Sequence, residues 1–202
     1  MILSEIDLEA HLSGSVSELD RFDIAPKPTL GSVKGASIDL RLGTWFLVPR
    51  TVRHSHYSLL DSNEGQLHED DASSKHYVRF GGEFHLHPGS FVLAATMEWI
   101  KMPRSLCGYV TGKSSLGRRG LVIETAPGVH PGFAGCLTLE LANVGVVPLI
   151  LTPGIPVCQL FLHRLQSPVD LETESKFSAL RQPKLGAPSR DAFARKLQSA
   201  SA

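Results

Sequence analysis

Apolar and polar residues alternate along most of this chain in short bursts. SIDLRLGTWFLV, EFHLHPGSFVLAATMEWI, LCGYVTG, LVIETA, CLTLELANVG, PLILTPG and PVCQLFLHRL follow one another, closed by Gly, Pro or Asn. Each holds stretches of about four to eight residues with a period of two, which puts successive side chains on opposite faces of a strand. Many short strands with regular turn signals predict a mainly β architecture, a barrel or a double-sheet roll. Two short helices are expected beside them. Ser4 and Asp7 have the spacing of a capping box, with Asp in place of Glu or Gln. Ile2, Leu3, Ile6, Leu8 and Leu12 offer an apolar stripe, so the first helix is expected over residues 4–12. The second is expected at Ser114–Arg119, directly after Gly112. Residues 54–76 are polar and weakly periodic and read as a long excursion. From Ser167 the chain turns polar, with Pro183, Gly186 and Pro188 and a short helical end near residues 191–198. The 202 residues fit one domain at 1–166 followed by a tail at 167–202.

Composition narrows the partners. Apolar residues make up 42% and charged residues 20%, as in a soluble globular protein. The formal net charge is zero, which argues against general binding to nucleic acid or an anionic membrane. Cys107, Cys136 and Cys158 are odd in number and lack a C-x-x-C spacing, so free thiols are expected, not a disulfide framework or a zinc ribbon. MILSEIDLEAHL has acids and no long apolar run, unlike a signal peptide. No segment has the roughly 18 apolar residues of a membrane helix, and a cytoplasmic location is the default.

One stretch stands apart from this neutral background. GKSSLGRRGL, Gly112–Leu121, puts three cations beside two serines. Its Lys precedes the serines, so it is not a Walker loop. Charge at Lys113 and a hydroxyl at Ser115 suit phosphate oxygens. Ser114 and Arg118 are one helical turn apart and can point the same way. In CLTLEL, Leu137, Leu139 and Leu141 face one side of a strand and Thr138 and Glu140 the other. A carboxylate on such a strand needs a partner, and Arg118 is the evident one.

Taken together, GKSSLGRRGL, GVHPGFAGCLTLELANVG and LTPGIPVCQLFLHRL resemble the dCTP deaminase family, relatives of the trimeric dUTPases. GASIDLRLGTWF, FHLHPGSFVLAATME and the tail SKF…GAPSRDAF extend the resemblance over nearly the whole chain. It implies a dUTPase-like β-clip, a distorted jelly-roll barrel with a few short helices. It implies Glu140 as the proton shuttle of a hydrolytic deamination, completed by Ser114 and Arg118. Lys113, Ser115, Lys176 and Gln182 are implied as phosphate ligands, and the carbonyl of Ala126 as the holder of the attacking water. Mg²⁺ is implied to arrive with the triphosphate, dTTP to be a possible inhibitor, and the assembly to be a homotrimer with sites between subunits.

No zinc is expected, because the H-x-E and P-C-x-x-C signatures of zinc deaminases are absent. His85 and His87 share a strand face but lack a following carboxylate, and a structural role is expected for them. His130 stands in GVHPGF where many relatives carry Asp against the deoxyribose hydroxyl. Histidine is not an equivalent base. The expected product is therefore dUTP with ammonia. The alternatives are a bifunctional enzyme that continues to dUMP, and a noncatalytic nucleotide-binding protein on the same fold.

Overall fold

A computed structural model describes residues 1–50, 72–124, 128–170 and 179–185. Twelve strands lie among them: β1 (Asp23–Ala25), β2 (Val33–Lys34), β3 (Ser37–Pro49), β4 (Ser73–Tyr77), β5 (Phe84–Leu86), β6 (Phe91–Lys101), β7 (Leu106–Gly112), β8 (Leu121–Glu124), β9 (Gly128–Val129), β10 (Ala134–Asn143), β11 (Leu149–Leu151) and β12 (Pro156–Arg164). Ten join one antiparallel sheet whose main path runs β8-β10-β6-β3-β12-β7-β9. β5 and β11 pair separately. The mainly β expectation holds.

β3 is the hinge of the sheet. Its first half pairs with β12 and its second half with β6 and β4. The register on β6 shifts between Leu42 and Phe46. Gly43 lies in that shift, and a Cβ there would stand 2.8 Å from the Ala95 carbonyl oxygen. Only a bare backbone lets the two strands approach this closely at the bend. Before the bend, Ile38, Leu40 and Leu42 are fully buried at alternate positions, as the period-two pattern predicts. They join Leu139, Leu141, Leu160 and Leu162 in one core. Phe46 and Phe84 stack across it, ring centroids 4.3 Å apart.

Helix α1 (Glu5–Ser13) starts where its capping box was expected. The Ser4 backbone N–H donates to Asp7 Oδ2 at 2.9 Å, and the Asp7 N–H donates back to Ser4 Oγ at 3.4 Å. The Ser4 hydroxyl also donates to Asp7 Oδ2, at 2.7 Å, and this bond, joined by the Ser4 N–H, holds the Asp7 carboxyl below its usual range. The expected apolar stripe holds at Leu3 and Leu8, which are buried, and at Leu12, which packs against the core; it is corrected at Ile2 and Ile6, which are 50% and 79% exposed, and His11 is buried as well.

The excursion at 54–76 is corrected in part. Residues 54–71 lie outside the described residues, but Ser73–Tyr77 form β4 on β3. β4 is itself mostly polar because it is a sheet margin with three exposed residues. The rings of Trp45 and Tyr77 meet there at 5.2 Å. The helical end expected near 191–198 lies outside the described residues. The three cysteines are free thiols, as expected. Burial pushes the Cys158 thiol up to about 12. Among the described residues no helix is long and apolar enough to cross a membrane.

Candidate active site

The Gly112–Leu121 stretch folds into helix α2 (Ser114–Gly117), one turn between β7 and β8. Lys113 precedes it in extended conformation, and the Lys113 N–H donates to the Val157 carbonyl at 3.1 Å. Ser114, Ser115 and Arg118 are exposed. Arg119 is exposed as well, and its guanidinium donates to the Ser115 carbonyl at 2.9 Å, closing the turn.

α2 packs on β8. A Cβ on Gly112 would stand 3.3 Å from the Ile123 side chain, so the start of the stretch also lies against β8. β8 pairs with β10 in a register that sets Leu141 opposite Ile123 and Glu140 opposite Glu124. Glu140 is half-buried on the face away from the fully buried Leu139 and Leu141. One strand therefore separates the serine–arginine turn from the strand that bears the glutamate.

Lys113 carries a contact that sequence reasoning missed. Its Nζ lies 2.5 Å from Asp39 Oδ2 on β3, with both side chains largely shielded. Two places along β3, Arg41 meets a different partner. Its Nε donates to Glu98 Oε1 at 2.6 Å and its backbone N–H to Glu98 Oε2 at 2.8 Å. The Glu98 side chain is 1% exposed. GASIDLRLG holds the signal for both: two charged residues in a run whose alternate positions are all apolar.

His130 is exposed at the turn after β9, and its carbonyl accepts from the Phe133 N–H at 3.2 Å. Gln182 is exposed in the segment 179–185. That segment lies along the start of β10, where the Cys136 N–H donates to the Leu180 carbonyl at 2.8 Å. Cys136 and Glu140 are four residues apart on β10, about 13 Å along an extended strand. Within one chain Gln182 thus stands at the far end of β10 from α2. Ala126 and Lys176 lie outside the described residues. His85 lies 3.4 Å from Glu83, both half-exposed on β5 and its approach.

A family model described as dCTP deaminase-like matches residues 9–165. Among curated relatives, the "dCTP deaminase, dUMP-forming" of Salinispora arenicola is 42% identical over 171 residues, 84% of this chain and 83% of that protein. The Mycobacterium avium protein of the same name is 38% identical over 189 residues, 91% of this chain and 93% of its own length. The crystal structure of 2'-deoxycytidine 5'-triphosphate deaminase from Agrobacterium tumefaciens superposes with a TM-score of 0.60 at 20% identity. It matches 81% of this chain, which spans 47% of that one, and the likeness supports the fold alone. The relatives' names correct one expectation. A dUTP product was inferred from His130 in place of Asp, but relatives this similar are named as dUMP-forming.

Proposed function

This chain belongs to the dCTP deaminase-like family, and from that premise we propose that it converts dCTP to dUMP, releasing ammonia and pyrophosphate. Two waters are consumed. The first adds to C4 of the cytosine ring. Glu140 takes the proton that this water loses and hands it to N3. A second transfer, from the new hydroxyl to the exocyclic amine, lets ammonia leave and forms the C4 carbonyl. Ser114 and Arg118 serve the base end, with the Arg118 charge favouring ionised Glu140 before water attacks. The Ala126 carbonyl orients that water. His130 faces the deoxyribose hydroxyl, to which an imidazole can donate or accept.

The second water attacks the α-phosphorus. The bond to the α–β bridging oxygen breaks and pyrophosphate leaves with the electron pair. Lys113 and Ser115 bind phosphate oxygens, joined by Lys176 and Gln182 from the tail. Mg²⁺ enters as part of the triphosphate substrate. Cations and hydroxyls at 113–118 suit phosphate oxygens better than a bare divalent ion, which takes oxygen anions. dTTP fits the same groups as an inhibitor. A homotrimer lets a neighbouring copy bring its own tail to the turn that Gln182 does not reach within one chain.

The observation that carries this reading is the seating of α2 on β8, beside the strand that bears Glu140. Glu140→Gln tests it. Turnover of dCTP should fall by about 10²–10⁴-fold while nucleotide affinity by calorimetry stays within a few-fold. Undiminished turnover would dismiss Glu140 as the proton shuttle.

A further inference from the structure

Three residues beyond Glu140, β10 ends at Asn143, whose side chain is fully buried. Its carboxamide is satisfied on every side. Nδ2 donates to the Leu86 carbonyl at 2.8 Å and to the Val147 carbonyl at 2.9 Å. Oδ1 accepts from the Gly145 N–H at 2.9 Å. Two donors meet two carbonyls and the acceptor meets an N–H, so only an amide in this orientation fits. These bonds fold residues 143–147 into a tight turn.

That turn meets the chain just after α2. The Val144 N–H donates to the Gly120 carbonyl at 2.9 Å. Gly120 has φ +93°, and a Cβ there would lie 2.6 Å from the Gly145 nitrogen. A Cβ on Gly145 would lie 3.1 Å from the Arg119 carbonyl oxygen. Two glycine backbones are thus pressed together with no room for a side chain. Asn143 also pairs with Leu121, the first residue of β8. α2 is therefore held at both ends. Lys113 is tied to Asp39 and Val157 before it, and Gly120 to the Asn143 turn after it.

We propose that Asn143 is a positioning residue for the deamination: its carboxamide shapes the turn that clamps Gly120, and so fixes Arg118 and Ser114 relative to Glu140 on the same strand. This rests on the roles given to those three residues above. A displacement of about 1 Å of a group in such a constellation can cost on the order of 100-fold in rate. The phosphate-binding end of the turn keeps its own backbone anchor, the Lys113 N–H on the Val157 carbonyl, so the clamp acts on the chemical step more than on substrate binding.

The test compares wild type, Asn143→Ser, Gly120→Ala and Gly145→Ala in steady-state dCTP turnover. It is run below the onset of thermal unfolding of each variant. Hydrogen exchange at the Val144 amide reports whether the clamp opens. Gly120→Ala and Gly145→Ala leave the buried carboxamide in place, so they read the clamp even if Asn143→Ser fails to fold. The expected result is faster Val144 exchange, with kcat lowered at least about ten-fold and KM for dCTP within about three-fold. Folded variants with an opened clamp and unchanged kcat would overturn the proposal. Equal losses in kcat and in the folded fraction would also overturn it, because a merely structural role predicts that. A wild-type protein inactive on dCTP would instead sink the assignment of the reaction, and the positioning role with it.

Discussion

Two charged residues of β3 stand two places apart and meet opposite circumstances. Arg41 turns beneath the bend of the sheet and gives two hydrogen bonds to Glu98, whose side chain is 1% exposed. Its Nη2 is also out of reach of solvent, without a hydrogen-bond partner among the described residues. Asp39 lies at the rim, where it and Lys113 keep 16% and 25% of their side-chain surface in water. In the inner pair Glu98 has lost nearly all its hydration while Arg41 keeps 18% of its side-chain surface, and the pair survives because each charge answers the other. The outer pair keeps part of its hydration, so either partner can separate at modest cost. A fixed pair braces the bend, and an exchangeable pair holds the lysine that the proposed reaction gives to phosphate.

The comparison breaks most sharply at Glu98. Glu98→Gln leaves the Arg41 guanidinium buried beside a neutral amide. Stability should fall by about 3–5 kcal/mol in urea unfolding. A loss under about 1 kcal/mol would mean that the inner pair is hydrated after all. Asp39→Asn should cost much less, about 1 kcal/mol or below, and the cost should shrink as salt is raised. An effect as large as that of Glu98→Gln, or one indifferent to salt, would erase the contrast between the two regions.

His11 extends the comparison to a buried group with no opposite charge bonded to it. Its ring nitrogens are shielded and have no hydrogen-bond partner among the described residues. Burial lowers its pKa from 6.5, helped by the Arg164 charge and opposed by Asp20 and Asp7. Above that value neither the folded nor the unfolded chain binds the proton. Below it the unfolded chain takes a proton that the folded ring refuses, so stability falls until the pH reaches the lowered native pKa. Urea midpoints of wild type and His11→Phe should therefore diverge as the pH falls through 6.5, with the variant losing less. Parallel midpoints would place His11 in a polar environment. This is the smallest of the three expected effects.

The sequence carried the strands because burial on one face writes itself as period-two alternation, as Ile38, Leu40 and Leu42 illustrate. It carried the start of α1 because a capping box is local, with both partners within four residues. It did not carry β4, since SSKHY pairs at a margin where hydrogen bonds, not apolar burial, hold the strand. It carried Leu3, Leu8 and Leu12 on the buried side of the first helix but not His11, a polar residue that is buried there while Ile6 stays exposed. At the candidate site the serine–arginine turn and the glutamate were each legible as local motifs. The contacts that hold them were not. Asp39 lies 74 residues from Lys113 and Glu98 lies 57 from Arg41, so nothing in either local pattern names the partner. Asn143 looked like a strand-ending turn residue, and its reach to Leu86, 57 residues away, became visible only in three dimensions.

The most direct test of the central claim is to incubate the purified protein with dCTP and Mg²⁺ and resolve the nucleotides by ion-exchange chromatography. The account predicts dUMP and pyrophosphate in equal amounts, with ammonia and without lasting dUTP. Unchanged dCTP, or dUTP as the final nucleotide, would contradict it.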